Sequence, residues 1–503
     1  MEKTHVCVVG AGISGLRCAD ILLSHGFKVT IFEARDRIGG RGNWDTRPIC
    51  ECLGRPQPSG LELTTNEGSG PNWIHAYRDA EAPHPIHKLA TETNTPLHHW
   101  NNKQLLFDPS GNKLPDDLTE RLSTTLWEII EQAFEFSKAA HDRDGGQEIP
   151  INDSLQDFIR RKAHEVISDE NERELLVHMS EMFGAYVGEP VWKQSLRFAW
   201  MEECCGGEEM FVASNYSSIL ALAAKPALDG ATIHLNTCVV GVSFHHAPSN
   251  SERQAVTVTT SYGQTLSFDE VVMTTPLGWL KRNHTAVFNP PLPPRLNDAI
   301  ANISLSQLEK VFINFPAAFW KKHCTHTDQF PCYTNWLTPS YAPSTNPSKW
   351  PQEIWDLSSF AEPNNHPTIL FYLYGDCARH VVDLIHGQAA DVKHRLLDDF
   401  FRPYYSKLPG YDAVDPDCRP RAILATEWFK DELSGNASYC NFQVGVEAAD
   451  QDVLALREGC VERRLWFCGE HAAPFEECGT VAGAYLSGES TGMRIVEFYK
   501  GRS

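Results

Sequence analysis

The clearest pattern of apolar and polar positions lies in the first forty residues. A short apolar run with Val6, Val8 and Val9 predicts a buried strand that ends at a glycine-rich turn. A second strand, "KVTIFE", follows at residues 28–33. The residues between turn and second strand are apolar at the spacing of one helical face, at Leu16, Ala19, Ile21, Leu22 and Leu23. The pattern therefore predicts strand, turn, helix and strand.

The turn between the first strand and the helix has a specific composition. Gly10, Gly12 and Gly15 complete the spacing G-x-G-x-x-G. Glycines there permit a tight turn and a close approach of the backbone to a pyrophosphate, whose charge rests on the helix N-terminus. Glu33 ends the second strand, where a carboxylate can accept hydrogen bonds from ribose hydroxyls. Three glycines alone would be weak support, but in this context they predict a dinucleotide site.

A second glycine turn follows in "EARDRIGGR", residues 33–41. Gly39 and Gly40 are flanked by Arg35 and Arg41, whose guanidinium groups suit contact with a pyrophosphate.

Two later segments have patterns of a different kind. The first is a long helical pattern in "ERLSTTLWEIIEQAFEFSKAAH", which predicts core packing, with a channel wall as the alternative. The second is "LEKVFINFP", where Lys310 precedes the apolar run of an expected strand. A lysine in a strand is usually exposed or extends its amine to solvent. The helical stripe consists of Leu122, Leu126, Ile129, Ile130, Ala133 and Phe134.

Length, composition and charge narrow the class of protein. The 503 residues are too many for one ordinary core, so two domains are expected. An apolar fraction of 42% and a charged fraction of 22% are typical of a soluble globular enzyme. The formal charge of -21 disfavours nucleic-acid binding and mildly favours cationic small molecules, although acidity that serves only solubility is the simpler interpretation.

Location and metal content are inferred from what the sequence lacks. It has no apolar run of about 18 residues and no signal-peptide pattern, so we expect neither a membrane span nor secretion. A cytoplasmic protein is predicted, and a peroxisomal location stays open. Its 15 cysteines, an odd number, indicate reduced thiols. Cys50 with Cys52, and Cys204 with Cys205, lack zinc-site spacing, so no metal is predicted.

These segments resemble the flavin-containing amine oxidase family, closest in character to its polyamine oxidases. The resemblance begins with the two glycine turns and continues in order to the C-terminus. It includes "GPNWIHAY" from Gly70, "LEKVFINFPAAFW" around Lys310, "NASYCNFQVG" and "GEHAAPFEECGTVAGAY". It implies FAD, bound noncovalently, although Cys468 and Cys478 keep covalent attachment open.

The resemblance also implies a fold of the α/β (α+β) class with two domains. A discontinuous Rossmann-like FAD-binding domain would be built from residues 1–88, 208–292 and 424–503. A substrate-binding domain of mixed sheet and helices would be built from residues 89–207 and 293–423. A monomer or a homodimer is expected.

The family's cofactor contacts carry over to matching positions. The backbone of Val239 is expected at the adenine, Glu470 at the ribityl-pyrophosphate region, and the helix beginning at Thr480 and Val481 at the pyrimidine end of the flavin. A positive helix end there would stabilise a reduced flavin. The remaining cofactor contacts implied are Gly10, Gly12, Gly15, Glu33, Ala34, Arg35, Gly40, Arg41, Trp73 and Ile74.

Four residues are candidates for catalysis. By resemblance, Lys310 holds a water against flavin N5, and Tyr439 forms one aromatic wall of the site. Thr480 takes the position of an opposing wall that is often a second tyrosine. His75 is expected either to bond a substrate nitrogen or to be a satisfied, partly buried histidine.

Two groups of acids have open roles. Glu309 stands where the family usually has asparagine. Glu202, Glu203, Glu208 and Glu209 lie where polyamine oxidases place acids that attract distal ammonium groups, although a solvated acidic loop explains them equally well.

The leading functional hypothesis is FAD-dependent oxidation of a polyamine or other secondary amine. Hydride transfer to flavin N5 would give an imine that hydrolyses, and oxygen would become hydrogen peroxide. One alternative is a flavin oxidase or desaturase of a specialised metabolite, favoured by the departures at Pro71, Ala76 and Glu309 and by the insertion at residues 50–68. A peptide-lysine demethylase and a non-catalytic flavin-binding scaffold are further alternatives.

Overall fold

A computed structural model describes residues 3–42, 70–77, 84–101, 103–202, 206–245, 255–322, 324 and 330–501. The insertion at residues 50–68, the four cysteines named above at positions 50, 52, 204 and 205, and the side chains of Glu203 and Glu208 lie outside the described residues.

The strands follow the chain in this order: β1 (His5–Val9), β2 (Lys28–Phe32), β3 (Trp73–Tyr77), β4 (Leu97–His98), β5 (Gln104–Phe107), β6 (Gly206–Val212), β7 (Thr232–His234), β8 (Val239–His245), β9 (Ala255–Thr260), β10 (Thr265–Phe268), β11 (Glu270–Met273), β12 (Phe288–Asn289), β13 (Ser304–Ser306), β14 (Leu308–Asn314), β15 (Tyr333–Trp336), β16 (Gln352–Asp356), β17 (Thr368–Tyr374), β18 (Ala422–Ala425), β19 (Tyr439–Asn441) and β20 (Leu465–Phe467).

The α-helices are α1 (Ile13–Ser24), α2 (Pro85–Glu92), α3 (Asp116–Asp144), α4 (Leu155–Val166), α5 (Glu170–Ser180), α6 (Gly184–Val187), α7 (Ser217–Gly230), α8 (Leu277–Val287), α9 (Pro294–Asn302), α10 (Gly375–Ile385), α11 (Ala390–Tyr405), α12 (Ala449–Glu458) and α13 (Val481–Lys500). Over the ranges given above, none of them has the length and apolar character needed to cross a membrane.

The first of the two large sheets is parallel and has the order β20-β11-β1-β2-β7. Val6, Val8 and Val9 are buried in β1, as the apolar run predicts. A parallel sheet is covered on both faces, which explains an uninterrupted apolar run rather than alternation. Helices α1 and α13 pack against each other and share one core with this sheet. Its strands come from three separate stretches of the chain.

The second large sheet is mixed and has the order β18-β14-β17-β16-β15-β5. Its strand pairs are antiparallel except for β15 with β5. Residues of α10 and α11 fill the core on one of its faces, including the α11 aromatic residues Phe400, Phe401 and Tyr404. The predicted stripe of α3 is buried in a neighbouring core, and two of its members, Ile130 and Phe134, also line the cavity described below.

Three smaller sheets hold several of the predicted site residues. A three-stranded sheet of order β3-β6-β4 places His75 directly opposite Glu209. A two-stranded sheet pairs β13 with β19 and places Ser306 opposite Tyr439. A four-stranded sheet has the order β10-β9-β8-β12 and begins β8 with Val239. The mixture of helices with a parallel and a mixed sheet agrees with the predicted α/β (α+β) class.

Candidate active site

A cavity of about 690 Å³ connects the carboxyl end of β1 with one face of the mixed sheet. Gly10, Gly12 and Glu33 line one part of it, and Lys310 and Tyr372 line another. Its lining includes most of the predicted site residues. That these side chains hold a cofactor or take part in catalysis stays a prediction.

The first glycine turn is built as the G-x-G-x-x-G spacing requires. Gly10 has a φ of +114°, a conformation that favours glycine. Gly15 packs against the backbone of Gly10 so closely that a side chain would overlap the Gly10 carbonyl oxygen. Gly12, by contrast, has open space where a side chain would be and lies at the N-terminus of α1 without a capping side chain. The backbone N–H groups of this helix end are therefore available to an anion.

Glu33 is held in a fixed position at the end of β2. The backbone N–H groups of Ala11 and Arg35 donate hydrogen bonds to its two oxygens, at 2.7 and 2.9 Å. Ala34 and Arg35 follow it along the cavity lining, and the Arg35 guanidinium pairs with Asp431 at 2.8 Å. This fixed carboxylate is suitable for accepting hydrogen bonds from ribose hydroxyls.

Arg41 and Glu470 form an ion pair across the cavity wall. The guanidinium of Arg41 lies 3.0 Å from Glu470 and donates a 2.7 Å hydrogen bond to the carbonyl oxygen of Ser438. Burial acts to raise the pKa of the Glu470 carboxyl, but the charge of Arg41 and the interactions with His471 and Cys440 outweigh it and hold this pKa well below its usual range. Glu470 is therefore an anion at neutral pH.

Helix α13 begins as predicted, with Thr480 as its N-cap. The Thr480 hydroxyl accepts a hydrogen bond from the Gly483 N–H at 2.8 Å and donates to Glu477, 2.9 Å away. Thr480 and Val481 both line the cavity. The positive end of this helix is thus directed at the cavity.

Other predicted cofactor residues divide into two groups. Gly40, Trp73 and Val239 line the cavity. Ile74 instead packs into an apolar cluster with residues such as Ile86, and Gly15 serves the packing of the turn.

Lys310 is buried in the cavity, with a side chain 7% exposed. Its Nζ donates hydrogen bonds to the carbonyl oxygen of Gly70, at 2.6 Å, and to Oδ1 of Asn72. Tyr372 donates to the same Asn72 oxygen at 3.3 Å and accepts from the Trp73 indole at 3.1 Å. Burial lowers the pKa of Lys310 to about 7, against the opposing charge of Glu309. A lysine with this pKa exchanges a proton near neutral pH.

Glu309 points away from Lys310 and fixes a neighbouring segment. Its buried carboxylate accepts hydrogen bonds from the Gln307 amide at 2.7 Å, the Phe429 N–H at 2.9 Å and the Thr426 hydroxyl. Trp428, inside the same segment, lines the cavity. Glu309 therefore positions one cavity wall, and burial raises its pKa to about 7.

His75 and Glu209 form a pair at the cavity. The His75 Nδ1 lies 3.1 Å from the Glu209 carboxylate. Burial acts to lower the pKa of His75, but the hydrogen bond and charge of Glu209, with the charge of Glu477, raise it overall. Of the predicted acidic loop, Glu209 thus serves this histidine, and Glu202 accepts a hydrogen bond from the Phe442 N–H at 3.2 Å.

Tyr439 and Trp428 supply aromatic surface to the lining. The Tyr439 hydroxyl donates to the carbonyl oxygen of Tyr186 at 2.9 Å, and its ring lies beside Gly479. Gly479 has a φ of +81°, so the backbone next to Thr480 approaches Tyr439 without an intervening side chain. One aromatic wall therefore stands beside the N-terminus of α13.

Among the lining residues that were not predicted, three bear directly on the site. Asn72 and Tyr372 complete the hydrogen bonds around Lys310, and Glu353 is a buried carboxyl on β16. Asn72 lies inside the quoted "GPNWIHAY" segment, which is a signal for it. Glu353 stands out only as an acid in the short strand "QEIWD".

Comparison with known proteins settles the family. The family described as "Flavin containing amine oxidoreductase" matches residues 13–496, nearly the whole chain. The chain belongs to this family. The match confirms the resemblance to the flavin-containing amine oxidases found in the sequence.

The relatives within this family include proteins named as a polyamine oxidase and as histone demethylases. The chain is 25% identical to "Polyamine oxidase 4" of Oryza sativa subsp. japonica, over 96% of this chain and 86% of that protein. It is 28% identical to "Lysine-specific histone demethylase 1 homolog 2" of Arabidopsis thaliana, over 98% of this chain and 58% of that protein. Against "Lysine-specific histone demethylase 1 homolog 1" of the same plant, the identity is 25% over 100% of this chain, which spans 53% of that longer protein.

A solved structure shows the same fold. A redesigned double mutant of putrescine oxidase superposes with a TM-score of 0.67 at 17% sequence identity, covering 99% of this chain and 100% of that one. This likeness confirms the predicted fold class.

The residues of the flavin amine oxidoreductase site fit FAD. The open space at Gly12, the uncapped α1 N-terminus and the fixed Glu33 carboxylate suit a pyrophosphate and a ribose. The cavity continues from there past Glu470 and the N-terminus of α13 to Lys310. Within the described ranges, no cluster of three or more histidine, cysteine or acidic residues suits a metal.

Replacing Glu309 by glutamine (Glu309→Gln) is expected to destabilise the protein by about 1–3 kcal/mol, because an amide nitrogen cannot accept the hydrogen bonds that the carboxylate accepts. The substitution should also change the pH dependence of stability. The folded pKa of about 7 exceeds the ordinary 4.5, so the folded state binds more protons in that window. Wild-type stability then falls as pH rises from 4.5 to about 7.

Thermal unfolding of the holoenzyme across this pH window measures the effect. In the Glu309→Gln variant, the part of the stability decrease that comes from Glu309 should be absent. The same change at the exposed neighbour Glu432 should leave the stability decrease as in the wild type. Equal pH profiles for wild type and Glu309→Gln would contradict the assigned burial of this carboxyl.

Replacing Glu209 by glutamine (Glu209→Gln) is expected to lower the pKa of His75, because the partner that favours the imidazolium loses its charge. The His75 ring can be followed by NMR titration of the holoenzyme. Glu131, an exposed acid on the same cavity, provides the control: Glu131→Gln should leave the His75 titration in place. An unshifted titration in Glu209→Gln would show that the pair does not form in solution.

Proposed function

We propose that this protein is a FAD-dependent oxidase of a polyamine or another secondary amine, with FAD held noncovalently. The observation that carries the proposal is the buried Lys310 amine, which lines the same cavity as the dinucleotide-type turn. When bound, FAD supplies the redox chemistry by accepting a hydride equivalent at N5 from the carbon next to the amine nitrogen.

The protein's own part in this reaction is binding, orientation and charge. Tyr439 and Trp428 exclude water from the reacting carbon and present aromatic faces to an amine. In this proposal the His75–Glu209 pair, which lines the cavity, bonds a substrate nitrogen and takes up its proton, since an amine must be neutral to be oxidised.

Lys310 acts after the amine has been oxidised. Its Nζ is fixed by Gly70 and Asn72, and it has a further N–H to hold a water molecule in the cavity. That water hydrolyses the imine product to an aldehyde and an amine. The same positive charge favours electron transfer to oxygen, which leaves as hydrogen peroxide.

Oxidation of a methylated lysine in a peptide is a second candidate. Its support is that several relatives matching 96–100% of this chain are named lysine-specific histone demethylases. Those relatives are longer proteins, and this chain spans about half of their length. The residues around Lys310 and Tyr439 suit either amine equally well.

Anaerobic bleaching of the bound flavin tests both candidates. Purified holoenzyme should be yellow, and spermine, spermidine or their acetylated forms should bleach it. A dimethyl-lysine peptide tests the second candidate in the same assay. Bleaching only by non-amine compounds would favour a specialised-metabolite oxidase and overturn the proposal. Acid precipitation of the protein should release the flavin into solution if it is held noncovalently.

A further inference from the structure

A chain of hydrogen bonds surrounds the Lys310 amine and converges on one oxygen atom. Oδ1 of Asn72 accepts a hydrogen bond from the Lys310 Nζ and a second one, at 3.3 Å, from the Tyr372 hydroxyl. The Trp73 indole N–H in turn donates to the Tyr372 oxygen at 3.1 Å. Tyr372 on β17 lies directly opposite Lys310 on β14, and Asn72 immediately precedes β3. Three separate parts of the chain therefore meet at the Asn72 oxygen.

The direction of these hydrogen bonds is fixed at both ends. An indole N–H and a charged amine can only donate, so the Tyr372 oxygen must accept from Trp73, and the Asn72 oxygen must accept from Lys310. The hydrogen of the Tyr372 hydroxyl then points at Asn72. Burial raises the pKa of Tyr372, so the hydroxyl keeps this hydrogen. Asn72 and Tyr372 are both buried, and the pair therefore forms a fixed polar environment for the lysine.

The two residues have opposite effects on the charge of the lysine. The Asn72 oxygen accepts a hydrogen bond from the ammonium group, and an acceptor of this kind favours the charged form of an amine. The Tyr372 hydroxyl directs the positive end of its dipole at the same oxygen. It therefore competes with the ammonium group for that acceptor and disfavours the charged form.

We propose that Asn72 and Tyr372 are positioning residues that set the protonation of Lys310, with Asn72 favouring the charged amine and Tyr372 opposing it. The consequence for catalysis rests on the proposed amine oxidation: the pair determines up to which pH the lysine keeps its charge for the reaction with oxygen. In the wild type the charge is lost near neutral pH, because burial lowers the pKa of Lys310 to about 7.

Other titratable groups near Lys310 lie on its own strand and on neighbouring strands, and they stay the same in every variant of the test. Their contributions therefore cancel when the variants are compared. Strand β18, on the other side of β14, carries no titratable side chain. The groups are Glu309 on β14, Glu353 on β16, His75 on β3 and Glu209 on β6.

Substitutions of the two residues should move the pKa of Lys310 in opposite directions. Asn72→Leu removes the acceptor and should lower this pKa by about one pH unit. Tyr372→Phe keeps the ring, whose centre lies 5.7 Å from the Lys310 Nζ, but removes the competing donor. It should raise the pKa by about half a pH unit. Asn72→Asp places an anion at the same position and should raise the pKa most.

Carbon-13 NMR of holoenzyme labelled at the ε-carbon of lysine measures the titration, and the signal missing from Lys310→Met identifies Lys310. The pH at which reoxidation of the dithionite-reduced holoenzyme slows should move in the same order. Tyr374→Phe is the matched control, because it removes another buried hydroxyl of β17, one that donates to the Glu181 carbonyl oxygen at 2.6 Å. This variant should leave the Lys310 titration in place.

Two results would overturn the assignment. One is a Lys310 titration in Tyr372→Phe that equals that of the wild type, and the other is a change of the same sign in Tyr372→Phe and Asn72→Leu. If Asn72→Leu does not fold with its flavin, the conservative Tyr372→Phe substitution still decides, because it must raise the pKa.

The bleaching assay keeps the two proposals apart. If the Lys310 titration responds to both residues as expected but no amine bleaches the flavin, the assignment of Asn72 and Tyr372 holds and the proposed oxidation fails. If amines bleach the flavin but the titration does not change with either residue, only this assignment fails.

Discussion

Replacing Lys310 by methionine (Lys310→Met) is expected to slow reoxidation of the reduced holoenzyme by oxygen about 10²-fold or more. Methionine fills a similar volume but carries neither the positive charge nor the hydrogen bonds to Gly70 and Asn72. Charge that develops on oxygen inside the cavity would then be left without its nearest cation. Flavin content should stay close to that of the wild type, because Lys310 lies away from the glycine turns.

The pH dependence of reoxidation provides a sharper readout. Since the pKa of Lys310 is about 7, the lysine loses its charge as pH rises through that value. Wild-type reoxidation should therefore slow with rising pH in this range, and Lys310→Met should be flat there. Stopped-flow mixing of reduced enzyme with oxygenated buffer measures both rates.

Lys281 is a matched control for this experiment. Burial lowers its pKa to about 8, but its amine bonds the carbonyl oxygen of Ala301 rather than a group in the cavity. Lys281→Met should reoxidise like the wild type. If the Lys310→Met variant were reoxidised at the same rate as the wild type, Lys310 would have no part in the reaction with oxygen.

Local sequence signals predicted the parts of the site that short segments build by themselves. The spacing of Gly10, Gly12 and Gly15 belongs to one turn, and the acid at Glu33 belongs to one strand end. Such features depend on backbone conformation within a few residues, so the pattern alone determines them.

Features that depend on pairing between distant strands were not predictable in this way. Alternation along β3 explains why Trp73 and His75 face the cavity while Ile74, between them, faces a core. The position of Glu353 in line with Lys310 is determined by the register of β16 with β17 and of β17 with β14. A segment of five residues does not by itself specify which surface each face of its strand will contact, or which strand will pair with it.

The glycine turn allows fold and cofactor binding to be separated by two substitutions. Gly12→Ala is expected to give a folded protein that has lost most of its flavin, because its affinity for the flavin falls at least tenfold. Nothing in the described structure lies within 4 Å of the added methyl group, so the turn can accept it. The methyl group occupies the space through which a pyrophosphate would approach the N-terminus of α1. Flavin absorbance after dialysis, with circular dichroism for the fold, measures the two effects separately.

Gly15→Ala is the informative partner of that experiment, because the same methyl group has a different consequence three residues later. Its Cβ would overlap the carbonyl oxygen of Gly10, so the turn and the packing of α1 on the parallel sheet must shift. Gly15→Ala should therefore lower the unfolding temperature of the flavin-free protein. Gly12→Ala should change this temperature no more than an ordinary surface substitution does. If Gly12→Ala retained wild-type flavin content while Gly15→Ala lost stability, the turn would be a packing device only, and the cofactor would have to enter the cavity elsewhere.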